Sequence, residues 1–151
     1  MKQGSAGSKL ILLLLSTIPF AAGRFLDYAV NLHTDETPPF KIIGIGMLLL
    51  WCLIAYIMRS RMKDMEELIV WQNMIPLIVL ILLCVQELIF RSYWPGMASI
   101  VTQEYYLPVL IYGYTLTTWT GRTFAAYIAS FLLMIIATFL GGTARESKLK
   151  K

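Results

Sequence analysis

The chain has 151 residues, of which 58% are apolar or aromatic and only 15% are charged. Soluble domains run at about 45–50% apolar and about 25% charged, so this sequence has too little charge to clothe a water-facing surface. An ordinary soluble domain is excluded, and the composition points to an all-α, polytopic integral membrane protein. The net charge of +4 does not signal nucleic acid, because Lys and Arg stand at segment ends, where they orient helices across a bilayer. Cys52 and Cys84 sit apart inside apolar runs, which removes a disulfide framework, a zinc knuckle and dithiol redox chemistry.

A crossing helix needs about 20 mostly apolar residues to cover about 30 Å of hydrocarbon, so the chain can be cut at its charges and turn residues. The first segment, about 10–32, follows Lys2 and Lys9. Its run LILLLLSTI and the small residues Ala21-Ala22-Gly23 have the pattern of a signal peptide, with cleavage before Arg24. Against that, the apolar stretch resumes through Phe25, Leu26, Tyr28 and Val30, as a retained anchor would. A linker with Asp35, Glu36 and the helix-breaking pair Pro38-Pro39 follows. His33 is the sole histidine and has too few neighbouring ligands for a metal site, so no cofactor is expected.

The second segment, 42–58, ends at the charged linker RSRMKDMEE, which cannot be buried in lipid. The third, 68–90, leads to a loop with Trp94-Pro95-Gly96, and the last, 123–142, is the most plainly structural. Between these two lies 105–121, rich in Tyr and Thr and the most polar of the five. The expectation is one domain over 1–151, a compact bundle of five hydrophobic helices with four or five full transmembrane spans.

Charge and length disagree about the fourth segment. With four spans and a cytoplasmic N-terminus, the inner flanks hold nine basic residues (Lys2, Lys9, Arg59, Arg61, Lys63, Arg145, Lys148, Lys150 and Lys151) against Lys41, Arg91 and Arg122 outside. With five spans the count is level. Yet 17 residues rising 1.5 Å each reach about 25 Å, and Thr120-Gly121-Arg122 suffices for a hairpin turn, so both arrangements stay open.

Polar residues inside the spans carry the functional expectations, since intramembrane charge is kept where it faces a bundle interior or a wet cavity. Arg24 and Asp27 lie on one helix face, as a cluster member or as an end-of-helix pair whose Arg snorkels to the headgroups. Asn73, Pro76, Glu87 and Arg91 share a stripe of the third helix, with Gln72 and Gln86 beside it. Pro76 should deprive the Gln72 carbonyl of its helical donor and kink the helix.

Counting 1.5 Å per residue sets Arg24 about 22 Å and Glu87 about 30 Å from the inner boundary, close enough for their side chains to meet. The expected site is therefore an outer-leaflet cluster of Arg24, Asp27, Gln86, Glu87 and Arg91. Tyr105, Tyr106, Tyr112 and Tyr114 form either an aromatic lid over it or an ordinary interfacial belt. In the last helix, Ala126, Ser130, Ala137 and Gly141 make a small-residue strip suited to close helix packing, within the chain or against a second copy.

No G-x-S-x-G, phosphate-binding glycine loop or acidic metal cluster is present. The expectation is a small non-enzymatic protein of the plasma or cytoplasmic membrane: a transport component, or an accessory or protective protein. Its expected partners are the lipid bilayer and either another membrane protein or a homo-oligomer. The alternative is a membrane-embedded, lipid-modifying or hydrolytic enzyme using Asp27 and Glu87 as acid and base.

Overall fold

The computed structural model describes residues 6–32, 39–90, 97–120 and 122–149, and for 97–100 the backbone alone. Helices α1 (Ala6–Leu15) and α2 (Ile18–Leu32) are halves of one 27-residue apolar stretch. Then come α3 (Phe40–Arg59), α4 (Met65–Cys84) continued by a π-helical turn at Val85–Ile89, α5 (Met97–Thr117) with a 3-10 turn at Thr118–Thr120, and α6 (Thr123–Leu149). Among the described residues, four stretches are long and apolar enough to cross a membrane: Ala6–Leu32, Phe40–Arg59, Met65–Ile89 and Thr123–Leu149.

Side chains are distributed as lipid demands. Ile42, Leu49, Val70 and Phe139 are exposed on the periphery, whereas Ser16, Gln72, Asn73, Gln86, Thr102, Glu104, Ser130 and Thr138 are buried. Within hydrocarbon the polar groups must find partners inside the bundle, and the apolar ones have no reason to hide.

Local chemistry explains the irregular points. Pro19 has no N–H for the Leu15 carbonyl, and the chain breaks at Ser16–Thr17, where both hydroxyls turn back onto the carbonyls of Leu13 and Leu14. The Phe20 amide, which would serve the Ser16 carbonyl in a regular helix, donates to Thr17 instead. At the start of α4, the Asp64 carboxylate caps the Glu67 amide at 2.8 Å, and Glu67 accepts from the Lys63 amide at 2.7 Å. Glu67 also meets Lys9 at 2.7 Å, tying α1 to α4.

Contacts fix the helix directions. Arg59 pairs with Glu146, and Gly141 packs on the Cys52 carbonyl and Ala55, so α3 and α6 run the same way. Leu68 lies by Gly142, Asn73 bonds Thr138, and Glu87 accepts from the Phe124 amide, so α4 runs oppositely. One end of the bundle thus holds Lys9, Glu67, Arg59 and Glu146; the other holds Lys41, Glu87 and Phe124.

Helix α5 meets the second end at Thr102, which accepts from Gln86, at Tyr112, whose hydroxyl donates to the Lys41 carbonyl, and at Gly113, which packs on Ala126 and Ser130, while Tyr105 and Tyr106 reach back to Ser16 and Pro76 inside the bundle. This helix is not one of the four described stretches long and apolar enough to cross a membrane, which agrees with the four-span arrangement that the basic flanks favour. The helix begins at Met97, well before 105, because Thr102 and Glu104 turn inward and join its buried face. Likewise α6 continues past 142 to Leu149, its polar last turns fastened by Arg59–Glu146.

Candidate functional site

The polar groups of α2 and α5 converge. Gly23 on α2 lets the α5 backbone come so close that a Cβ there would overlap the Glu104 carbonyl. That approach brings Arg24 Nη1 within 2.6 Å of Glu104 Oε1, while Asp27 lies 3.9 Å from the same nitrogen. The three side chains differ sharply in surroundings: Arg24 is 63% exposed, Asp27 43% and Glu104 only 4%. Glu104 Oε2 is buried and has no hydrogen-bond partner. An unsatisfied buried acceptor costs about 1–3 kcal/mol, and more when charged, so this oxygen is a place where a donor would be welcome.

A half-open cleft of about 420 Å³ adjoins this group, lined by Asp27, Gln103, Glu104, Leu107, Tyr114 and Tyr127 among others. The charged residues lining it are both acids. A larger groove of about 500 Å³ between α4 and α6, bordered by Leu80, Leu88, Ile128 and Phe131, is apolar throughout and suits acyl chains rather than chemistry.

The structure redraws the expected cluster. Arg24 and Asp27 are neighbours, but the carboxylate that Arg24 meets is Glu104, not Glu87. Glu87 instead accepts from the Phe124 amide at 3.3 Å, at the start of α6, where a helix N-terminus favours an anion. The depth count placed both residues in the outer part of the bundle but could not show that their helices face different neighbours. Gln86 is fully buried, its amide 3.4 Å from the Thr102 hydroxyl. Arg91 lies outside the described residues.

The four tyrosines do not form one lid. Tyr105 and Tyr106 point into the core, 1% and 0% exposed, with their rings edge to face at 5.3 Å. The Tyr105 hydroxyl donates to the Ser16 carbonyl at 2.7 Å, and that of Tyr106 to the Pro76 carbonyl at 2.7 Å. Both reach backbone at points where a helix is interrupted or carries a proline, and the buried carbonyls draw the phenols away from the surface. Tyr112 ties α5 to α3 through Lys41. Only Tyr114 of the four borders the cleft, facing the nearly buried Tyr127 of α6.

Gln72 and Asn73 form a separate layer deeper in the bundle. The Gln72 amide donates to the Trp51 carbonyl at 2.9 Å, and the Asn73 amide to Ile69 O and Thr138 Oγ1 at 2.9 and 3.1 Å. This is interhelical bonding among α3, α4 and α6. Ala126, Ser130, Ala137 and Gly141 are all buried, packed on α5 above and α3 below within the same chain.

Sequence reasoning passed over Glu104 as a loop residue. Its signal was there: it is the one acid of the α5 sequence, one turn ahead of Pro108 and beside two tyrosines. Among the described residues no group of three or more His, Cys, Asp or Glu could hold a metal. Compared with protein-family models, curated proteins and solved structures, the chain matches none.

Proposed function

We propose that this chain is a non-enzymatic integral membrane protein, a transport component or accessory protein, that holds a small polar ligand in the cleft of α2, α5 and α6. The supporting observation is Glu104: a carboxylate 96% buried, one oxygen on Arg24 and the other without a partner, beside a half-open cleft. Intramembrane ionisable groups are costly and are retained chiefly where they serve a pathway or site. The nine-to-three division of Lys and Arg across four spans puts the opposite end of the bundle in the cytoplasm and the cleft at the outer face of the cell membrane.

Cysteine accessibility tests this reading. Tyr114→Cys on intact cells should react with a membrane-impermeant thiol reagent, and Ser147→Cys should react only after permeabilisation. Failure of Tyr114→Cys to label from the outside overturns the open outer cleft, and with it the proposed role.

A further inference from the structure

Building on that reading of the cleft, we infer that its ligand carries an ammonium group, either a small soluble amine or an amine-bearing lipid headgroup. Charge is the first argument. Arg24, Asp27 and Glu104 together carry one excess negative charge, and the charged residues lining the cleft are the two acids. Arg24 faces them with most of its side chain exposed, so an incoming cation can displace its guanidinium without unpacking the core.

Hydrogen bonding is the second. An ammonium offers three donors in different directions. Glu104 Oε2 is a buried acceptor with no donor, and the half-exposed Asp27 carboxylate, 3.9 Å from Arg24 Nη1, lines the same cleft.

The walls supply the third argument and separate this ligand from a metal ion. Calcium takes six to eight oxygen ligands and magnesium a near-ideal octahedron. The cleft offers two carboxylates and the Gln103 amide, short of such a shell, and then Leu107, Leu110 and the rings of Tyr114 and Tyr127. Aromatic faces attract organic cations through the ring quadrupole, and leucines accept the methylenes next to an ammonium.

The test uses purified full-length protein in detergent, titrated calorimetrically with ethanolamine, with dihexanoyl phosphatidylethanolamine, and with ethylene glycol, acetate and methyl phosphate as controls. Saturable binding of the amines is expected, with Asp27→Asn weakening it at least threefold and Glu104→Gln at least tenfold. Arg24→Gln removes the competing cation and should strengthen it about threefold or more. A phosphatidylethanolamine affinity at least tenfold above that of ethanolamine assigns the ligand to lipid; equal or weaker affinity assigns it to a soluble amine.

Should Glu104→Gln not fold, Asp27→Asn and Arg24→Gln still decide the matter by their opposite signs. Amine binding that falls with Arg24→Gln overturns the inference. Binding of acetate or methyl phosphate in place of the amines overturns it too, but leaves the cleft as a ligand site. No saturable binding by any probe overturns both readings.

Discussion

Removing one hydroxyl, Tyr105→Phe, tests how the broken first span is held together. The phenol is 1% exposed and donates at 2.7 Å to the Ser16 carbonyl, itself buried and deprived of the Phe20 amide by the Pro19 break. Phenylalanine fills the same space, so the cost is that of an unmade bond to a buried acceptor. Between the general range for such acceptors and the smaller values typical of membrane bundles, about 1–2 kcal/mol is expected. For a chain of this size that corresponds to a melting temperature lower by about 3–6 °C.

Tyr112→Phe is the matched control. Its acceptor, Lys41 O, lies on an exposed residue where water or headgroups can replace the phenol, and the change should stay within about 0.5 kcal/mol. Adding Pro19→Ala sharpens the test, because an amide at position 19 lets the helix close and returns the Phe20 N–H to Ser16. In that background Tyr105→Phe should cost less than half as much, a coupling that a double-mutant cycle measures by thermal unfolding in detergent. Equal losses for Tyr105→Phe and Tyr112→Phe, or a Tyr105→Phe cost indifferent to Pro19→Ala, would refute the reasoning.

Gly113→Leu sets a side chain against the Ala126 carbonyl and Ser130 hydroxyl, so folded yield should drop sharply, with overpacking of about 1–3 kcal/mol or more read from the melting temperature. Gly46→Ala meets nothing within 4 Å and should be neutral or raise the melting temperature slightly, by up to about 1 kcal/mol of helix propensity. A reporter active only outside the cell, fused after Lys151, should be silent; strong activity there would reverse the orientation drawn from the basic flanks.

The spans were legible because their signal is additive: about twenty apolar residues in a row announce themselves whatever they touch. Pro76 was read as a kink, whereas α4 is helical from Met65 to Cys84; the break falls in the first span, ahead of Pro19, which the sequence reading passed over. Helix α5 was harder, since Tyr and Thr satisfy a belt, a lid or a core equally well on paper. Its role depends on which face meets the bundle, and that is set by partners far away in sequence: Ser16 for Tyr105, Pro76 for Tyr106, Gly23 for Glu104. Arg24 and Asp27 were found as neighbours because they share a helix face, whereas Arg24 and Glu104 stand 80 residues apart, beyond the reach of any spacing rule.

These long-range contacts have a common logic. The first span breaks at Ser16–Thr17, the third carries Pro76 and a π-helical turn at Val85–Ile89, and each irregularity loosens backbone or places polar atoms where lipid can offer nothing. One short stretch of α5 meets all three regions: the Tyr105 hydroxyl donates to the Ser16 carbonyl that the break frees, the Tyr106 hydroxyl donates to the carbonyl of Pro76 itself, and Thr102 accepts from the side-chain amide of Gln86 in the π turn. A helix rich in Tyr and Thr is suited to this role, because its hydroxyls reach polar groups inside the bundle. Glu104 shares that stretch, so the hydrogen bonds that hold α5 in place also fix the carboxylate against Arg24. Loosening Tyr105 or Tyr106 should therefore disturb the cleft as well as the fold, and the amine affinity of Tyr105→Phe should fall even in protein that remains fully folded.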